Sequence, residues 1–431
     1  MPRFQEEQLN NKKANIELLD VLILFWSFSN AFLHSFLFFI NRQSNSGQLA
    51  IIYIIVAVLS VFLCFKYFSR WTPLSFLFIA FLFVLIGVSF VITRLRYGSE
   101  EPMFISELKS FFAMTVCIML LTLLIFWRNK KDINLGIVLT TAIIITLVSF
   151  VSLFRGDRVT SGGFISDSSG LTYQSISYFA ADAFGLTVFH MNEKSRISKI
   201  SPLYIFIYSV LFIAQFSSCL LSGGRGGLVL FLVLFVYSFV IHNGIRKFYK
   251  ILLPTIIVLV IAWFLIPRIM EAFDINVKGL TRIIKFLNRG FVDEGRSNLF
   301  SQSIETFLES PLIGNGIGSI FFYLHSYSHN LFLDILSETG LIGLVFFAFL
   351  LIFFIRKTIL LFNQGSLYRL LTILFICGFS LNLFSGYFWV NQNLWLPFVV
   401  IFISPINIGS EECNAKPERI NAEFEDIEPD L

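Results

Sequence analysis

Two histidines, two carboxylates and several glycines fall within Pro311 to Gly343, PLIGNGIGSIFFYLHSYSHNLFLDILSETGLIG, ahead of and inside a long apolar run. His329 stands just before that run, behind a turn holding Gly314, Gly316 and Gly318 that can fold tightly against it. A neutral imidazole there can accept a proton from a hydroxyl near pH 7, although a lone histidine at such a rim also has purely structural uses. His325 suits either role. Asn330, Asp334 and Glu338 follow at i, i+4 and i+8, which makes one polar stripe on one helix face. A charge near the centre of a membrane helix costs roughly 2.5 to 3.5 kcal/mol, so the stripe must face protein or a water-filled cavity. Its carboxylates are expected to pair with arginines or to orient the histidine; a structural buried ion pair is the alternative for Asp334 and Glu338.

Two arginines are placed to meet an anion. In Ser222 to Gly227, SGGRGG, the turn is short enough to confine Arg225 to the membrane rim. The glycines admit close backbone approach, and a guanidinium grips phosphate oxygens in a two-pronged fork. A glycine hairpin with a snorkelling arginine is the plainer reading. Arg296 opens a helix in GRSNLFSQSIETFLESP, where unpaired N–H groups and the helix dipole favour negative charge. A surface pair with Asp293 or Glu294 is its plainer reading.

The frame for these residues follows from composition. A chain of 431 residues that is 56% hydrophobic and 14% charged, with 54 phenylalanines, is an all-α polytopic membrane protein. Apolar runs near the roughly 20 residues that cross a bilayer predict about twelve transmembrane helices. They lie near Ile16–Ile40, Leu49–Tyr67, Pro73–Ile92, Leu108–Trp127, Leu135–Phe154, Tyr173–His190, Leu203–Leu221, Leu228–Ile241, Ile251–Ile266, Leu331–Ile355, Arg369–Tyr387 and Leu394–Ile408. The sixth carries Asp182 and several hydroxyls, yet it preserves the alternation of basic and non-basic loops. With the N-terminus inside, Arg128, Lys130, Lys131, Lys194, Arg196, Lys199, Arg356, Lys357 and Arg369 all fall on the inner side, as the positive-inside rule requires.

The expected organisation is a cytoplasmic N-terminus (1–15), helices one to nine (16–266), an outer-face helical loop domain (267–330), helices ten to twelve (331–408) and an acidic cytoplasmic tail (409–431). In the loop domain, Lys278 to Arg289 reads as an interfacial amphipathic helix, with Arg282, Lys285 and Arg289 opposite Leu280, Ile283, Ile284 and Leu287. A second helix places Phe300, Ile304, Phe307 and Leu308 on one stripe for packing. The cysteines Cys64, Cys117, Cys219 and Cys377 lie inside spans and Cys413 in the tail, so no outer disulfide is expected. The first apolar run is too long for a signal-peptide core and lacks a small-x-small cleavage site. The charge of +4 reflects topology; no basic cluster is organised for nucleic acid.

LLSGGRGGLVLF, EGRSNLFSQSIETFLESPLIGNGIG and YSHNLFLDILSETGLIGLVFF occur in the order seen in the O-antigen ligase and O-antigen polymerase family, which the chain resembles from roughly Arg155 to Tyr387. His-Asn followed by a Glu-x-Gly-x-x-Gly helix is the most specific element. The resemblance implies a GT-C-like glycosyltransferase of the bacterial inner membrane that takes its glycan from undecaprenyl diphosphate on the periplasmic face. It makes His329 the general base and places Arg225 and Arg296 on the diphosphate, with Asn330, Asp334, Glu338 and His325 lining the substrate site. It implies no cofactor and no metal, in keeping with the lack of an outer Asp-x-Asp and of a carboxylate in NRQSNSGQ. The partners it implies are the lipid-linked donor, a glycan or lipid A-core acceptor, membrane lipids and a chain-length regulator. SGGRGG and SGYFWVNQNLW (Ser385 to Trp395) resemble polymerase members more than ligases. A lipid-linked oligosaccharide flippase or secondary transporter is the competing class; such proteins show related halves with midplane sites, and no repeat is visible here.

Overall fold

The computed structural model describes residues 17–29, 31–33, 46–66, 72–98, 101–154, 158–159, 165–166, 172–222, 224–243 and 296–406. The ninth expected span, the Lys278 to Arg289 helix, residues 41–45 of the NRQSNSGQ loop and the acidic tail lie outside these residues.

Apart from a two-residue antiparallel pair joining Arg158–Val159 (β1) to Ile165–Ser166 (β2), the described regular structure is helical. The helices are α1 (Leu18–Ser27), α2 (Ser46–Lys66), α3 (Leu74–Tyr97), α4 (Pro102–Trp127), α5 (Leu135–Phe154), α6 (Tyr173–Ile197), α7 (Pro202–Ser222), α8 (Arg225–Asn243), α9 (Arg296–Glu309), α10 (Ile320–Leu324), α11 (Leu331–Leu361), α12 (Ser366–Phe384) and α13 (Gln392–Ile403). Among the described residues six helices, α3, α4, α5, α7, α11 and α12, are long and apolar enough to cross a membrane. The protein is a multi-pass membrane protein.

Helix α6, whose polar content sets it apart, is the hub. It packs on α5, α7, α8 and α12, and nearly every residue from Ile176 to Glu193 is enclosed by these neighbours. A helix surrounded by protein has no lipid-facing side to keep apolar, which is why Asp182, hydrogen-bonded to Cys377 of α12, is tolerated there. Gln215 of α7 ties the same region together, its amide donating to Thr146 at 2.8 Å and Thr187 at 2.9 Å.

Helix α11 is broken. Gly340 takes φ 64° and ψ −165°, a conformation closed to residues with a Cβ, and the helical hydrogen bonds around it are replaced from outside. The freed N–H groups of Leu341 and Ile342 donate to the carbonyls of Pro311 and Leu312 at 2.9 and 3.1 Å. The freed carbonyls of Ser337 and Glu338 accept from the N–H groups of Asn315 and Gly316 at 3.1 and 2.9 Å. Irregular backbone near a membrane requires such substitution, since an unsatisfied group costs several kcal/mol. Beyond the break, Leu341–Leu361 is about 30 Å long at the helical rise, one bilayer thickness. Leu331 to Thr339, with Asp334 and Glu338, is therefore a helical segment distinct from Leu341–Leu361.

The α3 C-terminus, the N-termini of α4, α6, α8 and α11 and the C-terminus of α12 meet at one end of the bundle. Contacts there include Tyr97 to Tyr323, Ser177 to Gly224 and Tyr327 to Ser385. The opposite end gathers ion pairs. Lys130 bridges Glu17 and Asp20, each at 2.9 Å, and Arg369 grips Glu193 through two 2.6 Å hydrogen bonds. Lys357 donates to the Phe402 carbonyl at the same end.

Candidate functional site

His329 sits in the loop between α10 and α11 with φ 59°, a left-handed conformation uncommon for histidine. The local sequence holds it there. Asp334, wholly buried, accepts from the Ser328 N–H at 2.9 Å and the Ser328 hydroxyl at 2.6 Å, so the first turn of α11 grips the residue before His329. Asn330, the residue after it, is the N-cap of α11 and accepts from the N–H groups of Phe332 and Leu333 at 3.0 and 3.3 Å. Tyr327 packs its ring 4.4 Å from the imidazole and donates to the Ser385 carbonyl at 2.7 Å.

Burial first, then the nearby Arg296 charge, hold the His329 pKa below its ordinary value, with the Ser385 backbone opposing. The ring is thus neutral at pH 7, and its buried Nδ1 has no hydrogen-bond partner. Tyr327 is affected oppositely: burial, with the Glu107 and Asp334 carboxylates adding, pushes its phenol up to about 12.

Arg296 is the first residue of α9 and lies near enough to act electrostatically on His329, Tyr327 and Tyr178. Among the described residues it meets no carboxylate. Arg225 is the first residue of α8, and the turn bearing it is clamped to α6 by a 2.7 Å hydrogen bond from Ser177 to the Gly224 carbonyl. Both arginines thus stand at helix N-termini at the His329 end of the bundle.

The carboxylate stripe departs from expectation. Neither Asp334 nor Glu338 meets an arginine among the described residues. Glu338 is buried, and its Oε1 accepts from the Gly318 N–H at 3.0 Å and the Tyr387 hydroxyl at 2.8 Å, while Oε2 accepts from the Trp389 indole at 2.6 Å. Neutral donors suffice there, because a second buried ion would add its own desolvation cost. Glu338 thereby ties the broken helix to the glycine turn and to the segment after α12, and Asp334 positions the His329 loop. His325, with its side chain 77% exposed, lies on Glu101 at 3.1 Å, at the rim.

The second loop helix, α9, also differs. Ser303 and Thr306 form its buried face against α11, while Ile304 and Leu308 are 46% and 64% exposed. Of the apolar stripe expected to pack, Ile304 and Leu308 point outward and continue into exposed Leu312 and Ile313 beside the Gly340 break, while Phe300 and Phe307 are half-buried. A surface of this kind suits the membrane boundary.

Sequence reasoning passed over Tyr178, Tyr327, Ser328 and Glu107. Tyr327 and Ser328 flank the histidine within SYSHN, and that adjacency was the available signal. Glu107 and Tyr178 lie on distant helices, where no local pattern marks them. An apolar cavity of about 260 Å³ opens beside the Glu338 knot, lined among others by Ile335, Thr339, Gly343, Trp389 and Trp395.

A multi-pass helical membrane protein with a neutral histidine, arginines at two helix N-termini and a broken, glycine-turn-braced helix at one end is the class these features define. A family model described as O-antigen ligase matches residues 210–348, which contain SGGRGG, Arg296, His329 and the Gly340 break. Over that segment the chain is similar to the O-antigen ligase family. No curated protein matches the sequence.

Proposed function

We propose that the protein is a metal-independent membrane glycosyltransferase that moves a glycan from undecaprenyl diphosphate to an acceptor hydroxyl on the outer face of the inner membrane, as a surface-polysaccharide polymerase. The observation that carries this reading is the His329 imidazole, held neutral beside Arg296 with its Nδ1 unused by the protein. Buried polar atoms without partners are rare and mark places where a ligand or water completes the site.

In this reading His329 takes the proton of the acceptor hydroxyl as its oxygen bonds to the anomeric carbon of the donor sugar. The bond from that carbon to the diphosphate oxygen breaks, and both electrons leave with undecaprenyl diphosphate. Arg225 and Arg296 stabilise the charge that develops on the leaving group. The imidazolium then loses its proton to solvent. Asp334 and Asn330 hold the loop, Glu338 holds the turn beneath it, and His325 stands at the rim where an acceptor enters. The apolar cavity beside the Glu338 knot is compatible with a lipid tail.

The family description favours one alternative, a ligase that delivers the glycan to lipid A-core. A product gel separates the two. Purified protein in lipid is supplied with the undecaprenyl-diphosphate repeat unit, with and without lipid A-core. A ladder from the donor alone is the expected result; product only with lipid A-core makes it a ligase; and no transfer under either condition overturns the glycosyltransferase reading.

A further inference from the structure

The glycine-rich turn before α8 owes its composition to helix α6. A Cβ at Gly226 would overlap the Tyr178 hydroxyl, and Cβ atoms at Gly224 and Gly227 would run into Ser177. The glycines therefore let α6 lie directly against the first turn of α8. Ser177 locks that contact, donating to the Gly224 carbonyl at 2.7 Å, while the Cys219 thiol donates to the Ser177 carbonyl at 3.3 Å.

Pressed into this junction, Tyr178 is only 6% exposed, yet its hydroxyl has no hydrogen-bond partner. An unmade hydrogen bond in a buried hydroxyl is costly, and a phenylalanine would fill the same space without that cost. The hydroxyl lies against Gly226, in the first turn of a helix whose leading N–H groups lack intrahelical acceptors and carry the positive end of the dipole. Arg296 acts electrostatically on the same phenol.

We propose that Tyr178 is a further ligand-binding residue: its hydroxyl, the first-turn N–H groups of α8, Arg225 and Arg296 together form the pocket for the diphosphate of the donor. The inference rests on the diphosphate reading above and extends it by adding a neutral donor from α6. Tyr178 donates to a phosphate oxygen that the arginines neutralise. A hydrogen bond to a charged oxygen is stronger than one between neutral groups, so the unpaired state of the hydroxyl is relieved when the ligand arrives.

The test uses full-length protein in lipid nanodiscs and undecaprenyl diphosphate without glycan as the probe. Tyr178→Phe should weaken binding about tenfold or more, in line with loss of one charge-assisted hydrogen bond. Its thermal unfolding should match wild type, and in transfer assays the KM for the lipid-linked repeat should rise. Arg225→Ala is the comparison. Wild-type affinity in Tyr178→Phe alongside weakened Arg225→Ala would overturn the role of Tyr178 and leave the diphosphate reading standing. A Tyr178→Phe protein that unfolds at a lower temperature but binds normally once folded would make the residue structural and also overturn the proposal. If wild type itself does not bind the probe, both the pocket and the reading beneath it fall.

Discussion

At the end of the bundle that carries Arg369, acids and bases neutralise one another: Arg369 with Glu193 through two bonds of 2.6 Å, and Lys130 with both Glu17 and Asp20. At the end that carries His329, the buried acids are held by neutral donors instead. Asp334 is held by Ser328, and Glu338 by Gly318, Tyr387 and Trp389. Arg296 meets no carboxylate among the described residues, and the His329 Nδ1 and the Tyr178 hydroxyl are buried without partners. Paired charges fasten helices together and have little capacity left for a ligand. The charge of Arg296, which meets no carboxylate among the described residues, beside buried polar atoms without partners, keeps that capacity.

The sharpest way to break this contrast is His329→Ala. Loss of a general base costs typically 10²- to 10⁴-fold in rate, so transfer should fall by about that factor with unfolding unchanged. An active variant would remove the histidine from the chemistry. Next is Glu193→Ala at the opposite end. Stranding the half-buried Arg369 should lower stability by on the order of 2 kcal/mol, while transfer per folded molecule is retained. Thermal unfolding and turnover measured on one preparation check both halves, and lost turnover in a fully folded variant would end the division of labour between the two ends. The smallest effect is expected from His325→Ala, because that side chain is 77% exposed. Transfer should change by less than about twofold, the range of an exposed pair, and a large loss would move the acceptor path onto His325.

Much of this architecture was legible because lipid imposes a simple code. Helices appear where apolar runs placed them, from Ser46–Lys66 to Arg225–Asn243 and again from Leu331 onward. The polar sixth segment made sense only once its neighbours were seen to cover it on all sides. Within the candidate site, His329 and the two arginines stood out as ionisable groups at helix starts. The break at Gly340 was hidden, because Glu-Thr-Gly in an apolar run reads as continuous helix until Pro311 to Gly316 supplies the replacement hydrogen bonds. The destination of Glu338 was hidden for a similar reason: Tyr387 and Trp389 come from beyond the next helix, and their aromatic-rich stretch was read only as a likeness to polymerase members. In α9 the small polar Ser303 and Thr306 are buried while Ile304 and Leu308 are exposed, an arrangement that a membrane-boundary position allows.

The central claim is that His329 works as a base kept neutral by burial and by Arg296, and the pH dependence of transfer tests it most directly. Only the neutral ring accepts a proton, so activity falls as pH drops through the His329 pKa, which lies below the ordinary value of 6.5. The acid limb of kcat/KM in wild type should therefore lie below pH 6.5. Removing the positive charge in Arg296→Gln makes the imidazolium easier to form, raises that pKa and should move the limb to higher pH. A wild-type limb at or above the ordinary histidine value, or one that Arg296→Gln leaves in place, would contradict the account.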